Sequence, residues 1–168
     1  MQGKIAVEEH FRIEETKGSE SRYPGPYWSA LSGKLLDVFG ARLSEMDANG
    51  IEMAVLSLNS NAVQGIFEAA KAVEVARKAN DALAEIVAKR PDRFAALGAL
   101  PMQDPDAAIA ELKKILATDP RSAHAHMLLG AAYSGTGDRR LIGESIAELR
   151  EALAIDPGLV QARFYLAH

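Results

Sequence analysis

The amino-acid sequence predicts an α/β fold of about three parallel βα units, followed by an all-α helical tail. Three observations predict it. Over roughly the first 100 residues, short apolar runs alternate with amphipathic stripes of helical period. After Pro101 no credible strand signal remains. Within the tail, one helical segment recurs almost unchanged, so that Pro157 repeats Pro120 at a separation of 37 residues.

The elements follow in order. Lys4 to His10 is an apolar run with a polar end, which suits a buried strand. A loop rich in Gly, Ser and Pro is expected from about Thr16 to Pro26. Trp28, Leu31, Leu35, Phe39, Leu43 and Met46 then recur every three or four residues, one apolar stripe on one helix. Asn49-Gly50 ends it, because both residues tolerate the left-handed cap conformation. Glu52 to Leu58 is a second buried strand. Asn61 is expected to cap the next helix, with the stripe Phe67, Ala70, Val73, Ala76, Leu83, Ile86 and Val87, and Pro91 stops it. Arg93 to Leu100 is the third strand. Strands separated by helices of this length imply parallel pairing through crossovers. Asp104, with Pro105 behind it, is placed to cap the first tail helix.

Composition narrows the function classes. The chain has 168 residues, 48% hydrophobic and 25% charged, an ordinary globular balance. The formal net charge of -4 provides no basic footprint, so nucleic acid is excluded as an expected partner. No run approaches the roughly 18 apolar residues of a membrane span. The opening MQGKIAVEEHF lacks the longer apolar core and small-residue cleavage site of a signal peptide, so a cytoplasmic protein is expected. Cys is absent, which removes disulfides, thiolate ligands and thiol nucleophiles. Any metal site must use carboxylates and the four histidines, His10, His124, His126 and His168.

In the tail, Ala107 to Pro120 (AAIAELKKILATDP) is echoed by Ser145 to Pro157 (SIAELREALAIDP). The alignment sets Ala108 on Ser145, Leu112 on Leu149 and Leu116 on Leu153. Between the echoes lie Leu129-Gly130 and Tyr133, and Gly137-Asp138 supplies a turn. The spacing is close to the roughly 34-residue period of tetratricopeptide repeats, and residues 105 to 168 resemble that family. The resemblance implies a helical repeat with one full unit and two halves. It also implies a possible peptide or protein partner.

Chemistry centres on Glu8 and His10. Residues two apart on a strand share a face, so the pair projects together at the end of the first strand. Carboxylate and imidazole suit Zn²⁺ or Mn²⁺. By spacing alone, the pair reads first as a surface or strand-end feature rather than a metal site.

Four segments add to this pair. MQGKIAVEEHF, Tyr27-Trp28, RLSEMDANGIEMAVLSLN and ANDALAEIVAKRPDRFAALGALPMQDPDAA occur in this order from Met1 to about Leu112. Together they resemble the metal-dependent decarboxylases of the amidohydrolase superfamily that act on γ-resorcylate and 2,3-dihydroxybenzoate. That resemblance implies the opening third of a (β/α)8 barrel, with Glu8 and His10 as two metal ligands. It implies nonoxidative decarboxylation of a hydroxybenzoate, a small aromatic carboxylate, with the metal holding carboxylate and phenolic oxygens. The family's later His and Asp ligands and later-loop catalytic groups have no counterpart in these residues, so catalytic residues are unassigned and inactivity is expected.

The other candidates are bland. His124 and His126 are two apart on a helix, about 200° around it, and cannot chelate one ion. His168, after Phe164-Tyr165, reads as part of a further repeat helix. Asn59, Ser60 and Asn61 close the second strand, where barrel loops line substrates, although Asn61 reads first as a cap. There is no Gly-rich phosphate loop. The domains expected are residues 1–112 and 113–168, joined within the helix 105–116, where either lineage accommodates an amphipathic helix. Three functions follow: a decarboxylase-related fragment, a helical binding module, or a recombined or engineered chimera without retained activity, and an oligomer is compatible with each.

Overall fold

A computed structural model describes residues 3–16, 25–59, 61 and 63–167, leaving the side chain of Glu8 outside the description. The chain divides into two compact units, Met1–Ala99 and Leu100–His168. Among the described residues, no helix is long and apolar enough to cross a membrane.

The first unit runs β1 (Lys4–Phe11), α1 (Gly25–Leu36), α2 (Ala41–Asn49), β2 (Ile51–Leu58), α3 (Ala69–Lys89) and β3 (Phe94–Leu97). The strands form one parallel sheet in the order β1-β2-β3. Phe11, Ala54, Leu56 and Phe94 point from the sheet into a core closed by Met46 of α2 and by Ala79 and Leu83 of α3. Ala6 pairs with Ala54 but Glu9 with Leu56, so β1 carries a bulge between them.

The stripe from Trp28 to Met46 is divided between two helices. Asp37 causes the break: its carboxylate accepts from the backbone N–H of Gly40 at 2.7 Å and of Ala41 at 2.8 Å, capping α2. Gly50 ends α2 in the left-handed conformation at φ 66°, as its sequence position implies. The expected cap at Asn61 is overturned. Asn61 stands in a turn at φ 66°, its carbonyl accepting from Gly65, and α3 begins only at Ala69. The buried stripe of α3 is Ala72, Val75, Ala76, Ala79, Leu83 and Ile86, while Phe67 is exposed. Ala76, Leu83 and Ile86 of the predicted stripe are buried, while in the first turns Ala72 and Val75 take the buried face instead of Ala70 and Val73. The third strand is shorter than expected because the chain leaves the sheet at Gly98. There Asn80 of α3 holds Ala99 at both backbone groups, donating to its carbonyl at 3.0 Å and accepting from its N–H at 2.7 Å.

The second unit is helical throughout: α4 (Pro105–Thr118), α5 (Ala123–Gly135), α6 (Ile142–Ile155) and α7 (Val160–Leu166). Asp104 caps α4 by accepting from Ala107, with Pro105 in the first turn. Ser122 caps α5 in the same way through Ala125. Ala108, Ile109 and Leu112 of α4 pack on Ala125, Leu129 and Tyr133 of α5. A second cluster joins Ala123 and Met127 of α5, Leu149 and Ala152 of α6, and Ala162 of α7. Gly130 permits the α5–α6 approach, since a Cβ there would stand 2.7 Å from Leu149 Cγ. Ser145 Oγ completes the contact by donating to the Gly130 carbonyl at 2.8 Å.

Candidate functional site

Strand alternation organises the C-terminal end of β1. Phe11 is buried in the core, and its neighbour His10 therefore stands on the other face. His10 pairs in register with Ser57 of β2, and its Nδ1 lies 3.1 Å from Ser57 Oγ. That contact orients the ring and leaves Nε2 for a further ligand, the arrangement expected of a metal-binding imidazole. Glu8 belongs to β1 by its backbone. Among the described residues no group of three or more His, Cys, Asp or Glu side chains converges as a metal cage. The described donors at this strand end thus amount to one oriented imidazole, which would hold an ion weakly without more ligands.

Glu9 serves a different purpose. Its Oε2 accepts from Arg42 Nη1 of α2 at 3.1 Å, and Arg42 Nη2 donates to the backbone carbonyl of His10. One guanidinium therefore fixes two successive residues of β1. Burial lowers the Arg42 pKa, opposed by the neighbouring Glu9 and Glu45 carboxylates. An arginine starts so far above neutrality that it remains charged. Glu9, His10, Leu35 and Arg42 line a cleft of about 290 Å³ between β1 and the helices α1 and α2.

Behind this edge, Arg12 is buried. Its Nη1 donates to Ser32 Oγ at 2.5 Å, and its guanidinium lies 5.8 Å from the Trp28 ring centroid. Arg12 and Trp28 thereby tie α1 to the end of β1. Asn59 is buried too and donates its backbone N–H to the Phe11 carbonyl at 2.9 Å, linking the ends of β1 and β2. Its role is to join strands, and Asn61 stays exposed in its turn. The expectations for Ser60 and His168 lie outside the described residues. In the second unit, His124 is exposed and His126 is engaged by Glu148 and the Pro120 carbonyl. Sequence reasoning missed Ser57, Arg42 and Arg12. The signal for Ser57 is its polar place in the apolar run EMAVLSL, but pairing it with His10 requires the register.

Residues 37–119 match the amidohydrolase family model. The chain is 58% identical over 115 residues to γ-resorcylate decarboxylase of Rhizobium sp. (strain MTP-10005), covering 68% of this chain and 35% of that protein. To the γ-resorcylate decarboxylase of Rhodococcus jostii (strain RHA1) it is 55% identical over the same length, with the same coverage. Among solved structures, it is similar to 2,6-dihydroxybenzoate decarboxylase complexed with 2,6-dihydroxybenzoate. The TM-score is 0.65 at 56% identity, over 70% of this chain and 36% of that one. The dihydroxybenzoic acid decarboxylase of Polaromonas sp. JS666, with bound manganese and 2-nitroresorcinol, matches at TM-score 0.65 and 49% identity, with the same coverage. This chain spans about a third of the length of these relatives. The parallel sheet and its helices are therefore a partial α/β fold like that of the amidohydrolase decarboxylases, and the matched residues are homologous to γ-resorcylate decarboxylases over that part of their length.

Proposed function

We propose that residues 1–112 are the opening part of a metal-dependent hydroxybenzoate decarboxylase barrel, in which Glu8 and His10 hold a divalent ion, Zn²⁺ or Mn²⁺. The observation that carries this reading is the identity of 58% over 115 residues to a γ-resorcylate decarboxylase. Support also comes from His10, whose Nδ1 is held by Ser57 and whose Nε2 stays available. A bound ion supplies charge to grip the carboxylate and phenolic oxygens of an aromatic acid. Of this chain's own residues, Ser57 orients the imidazole and Arg42 fixes the backbone that carries it.

Under the same proposal, the 168-residue chain alone does not turn over, because two ligands hold an ion poorly and the other ligands are not among these residues. Metal analysis of protein purified with Mn²⁺ and no chelator should find more metal than in Glu8→Ala/His10→Ala. Equal metal content in the two would end the proposed ligand role. Decarboxylation of 2,6-dihydroxybenzoate should not exceed that of free Mn²⁺; turnover abolished by the double substitution would overturn the proposed inactivity.

A second reading concerns the tail. We infer a tetratricopeptide-like module over residues 113–168, joined to the barrel lineage within 105–116 as a recombined chain. The echo of Ala107–Pro120 in Ser145–Pro157 supports it, as does the close α5–α6 contact at Gly130. Its function would be to bind a peptide through its first helices, α5 and α7. A pull-down reproduced by the 105–168 segment would favour that role, and a folded segment that retains nothing would remove it.

A further inference from the structure

Asn49-Gly50 joins the end of α2 to the start of β2. Among Asn49, Asn59, Asn61 and Asn80, only Asn49 precedes a glycine. Glycine has no Cβ, so nothing shields its backbone nitrogen from the preceding side chain. Both residues are exposed, and apart from chain neighbours no heavy atom stands within 4 Å of where a Gly50 Cβ would project. The Gly50 N–H is lightly held. It is shared between the carbonyls of Met46 and Asp47, and the bond to Asp47, at 3.3 Å, is longer than usual.

From β1, Lys4 donates its Nζ to the Asn49 carbonyl oxygen at 2.8 Å. That carbonyl and the Gly50 nitrogen belong to one peptide group. When the nitrogen loses its proton, negative charge spreads onto the carbonyl oxygen, where the ammonium already stands. A cation fixed where charge develops lowers the barrier.

We propose that Asn49 is a site of spontaneous deamidation promoted by Lys4. Hydroxide takes the Gly50 amide proton, and the nitrogen attacks Asn49 Cγ. The N–Cγ bond forms, the Cγ–Nδ2 bond breaks, and Nδ2 takes a proton from water and leaves as ammonia. A second water opens the cyclic imide at either of its two carbonyls, giving aspartate or isoaspartate. No group is oxidised or reduced.

Both products alter the corner between α2 and β2. Aspartate loses the donation from Nδ2 to the Glu45 carbonyl, made at 2.8 Å by the amide. It also sets a negative charge at a helix C-terminus, where the macrodipole opposes it. Isoaspartate routes the main chain through Cβ and Cγ, one extra carbon ahead of Ile51, the residue that pairs with Lys4. The corner therefore loosens as the protein ages. The chemistry needs no bound ion and is independent of the barrel reading.

The test ages the full chain in mildly alkaline buffer and follows each asparagine by peptide mass spectrometry, with isoaspartate separated from aspartate by chromatography. Asn49 should convert before Asn59, Asn61 and Asn80. Lys4→Gln should slow its conversion about fivefold, the size of a Coulomb interaction across water at contact distance. Lys4→Arg, which keeps the cation, should keep the rate. In urea the unsubstituted and Lys4→Gln chains should convert equally fast. Earlier conversion of another asparagine overturns the proposal. So does a folded-state rate unchanged or raised by Lys4→Gln, which would make Lys4 a bystander or a guard of the cap. A slowing by Lys4→Gln that persists in urea would belong to the sequence rather than to the folded contact, and overturns it too.

Discussion

His126 shows how one side chain couples packing to pH. Partial burial disfavours its charged form, but hydrogen bonds to Glu148 and the Pro120 carbonyl outweigh that, and its pKa rises above the usual 6.5. Both partners are acceptors, so the imidazolium satisfies them together. A raised pKa in the folded state means the stabilisation is complete below the unfolded value. It fades as pH climbs through the folded value. Denaturant unfolding should therefore show stability falling as pH rises above the ordinary histidine value of 6.5, and His126→Ala should flatten that slope while costing about 1–2 kcal/mol at the acidic end. A slope unchanged by the substitution would place the proton elsewhere. At this scale the sequence was half legible. Glu8 and His10 stand out because two-residue spacing is visible along one chain. Ser57 and Arg42 do not, because their partnership with His10 depends on strand register and on a helix returning 32 residues later.

Helix contacts set the next scale, where two glycines should respond differently to one methyl group. At Gly130 an added Cβ meets Leu149 Cγ at 2.7 Å and the Ser145 carbonyl at 3.0 Å. Gly130→Ala should therefore force α5 and α6 apart and cost about 1–3 kcal/mol. Gly50 has open space around it, and its φ of +66° is the sole obstacle. Gly50→Ala should cost about 1 kcal/mol, as local strain with no repacking. Chemical-shift changes in α6 for the first and none beyond the α2–β2 turn for the second would distinguish the two. Element existence was readable wherever a period persisted: β1, β2, the tail helices and the Asp104 cap lie where the pattern indicates. What escaped were interruptions made by a single side chain. Asp37 bonds the backbone twice and divides a stripe that looks continuous, and Asn61 turns the chain several residues before α3 begins. Alanines on the buried face of α3 also give a weak hydrophobic signal, so the larger but exposed Phe67 misled the stripe.

For the molecule as a whole, the first unit leaves apolar sheet surface in water. Ile5 and Leu97 are 63% and 53% exposed, on the face that bears His10. The described sheet also has β1 and β3 as its outer strands, with ladder groups open to pairing. Light scattering should show association growing with concentration, and Ile5→Lys/Leu97→Lys should reduce it without shifting the thermal midpoint; unchanged scattering would exonerate this face. The α/β character of this unit was legible from alternation, and the loss of strand signal after Pro101 falls close to its division from the helical unit at Ala99. Asn80 makes that place mechanically distinct. Tension applied through the C-terminal unit enters the first unit at Ala99, where two hydrogen bonds to one amide share the load and carry it into α3. The four-residue ladder of β3 is thereby shielded from shear. In optical tweezers, Asn80→Ala should lower the rupture force of the first unit, with β3 peeling from β2 as the first event.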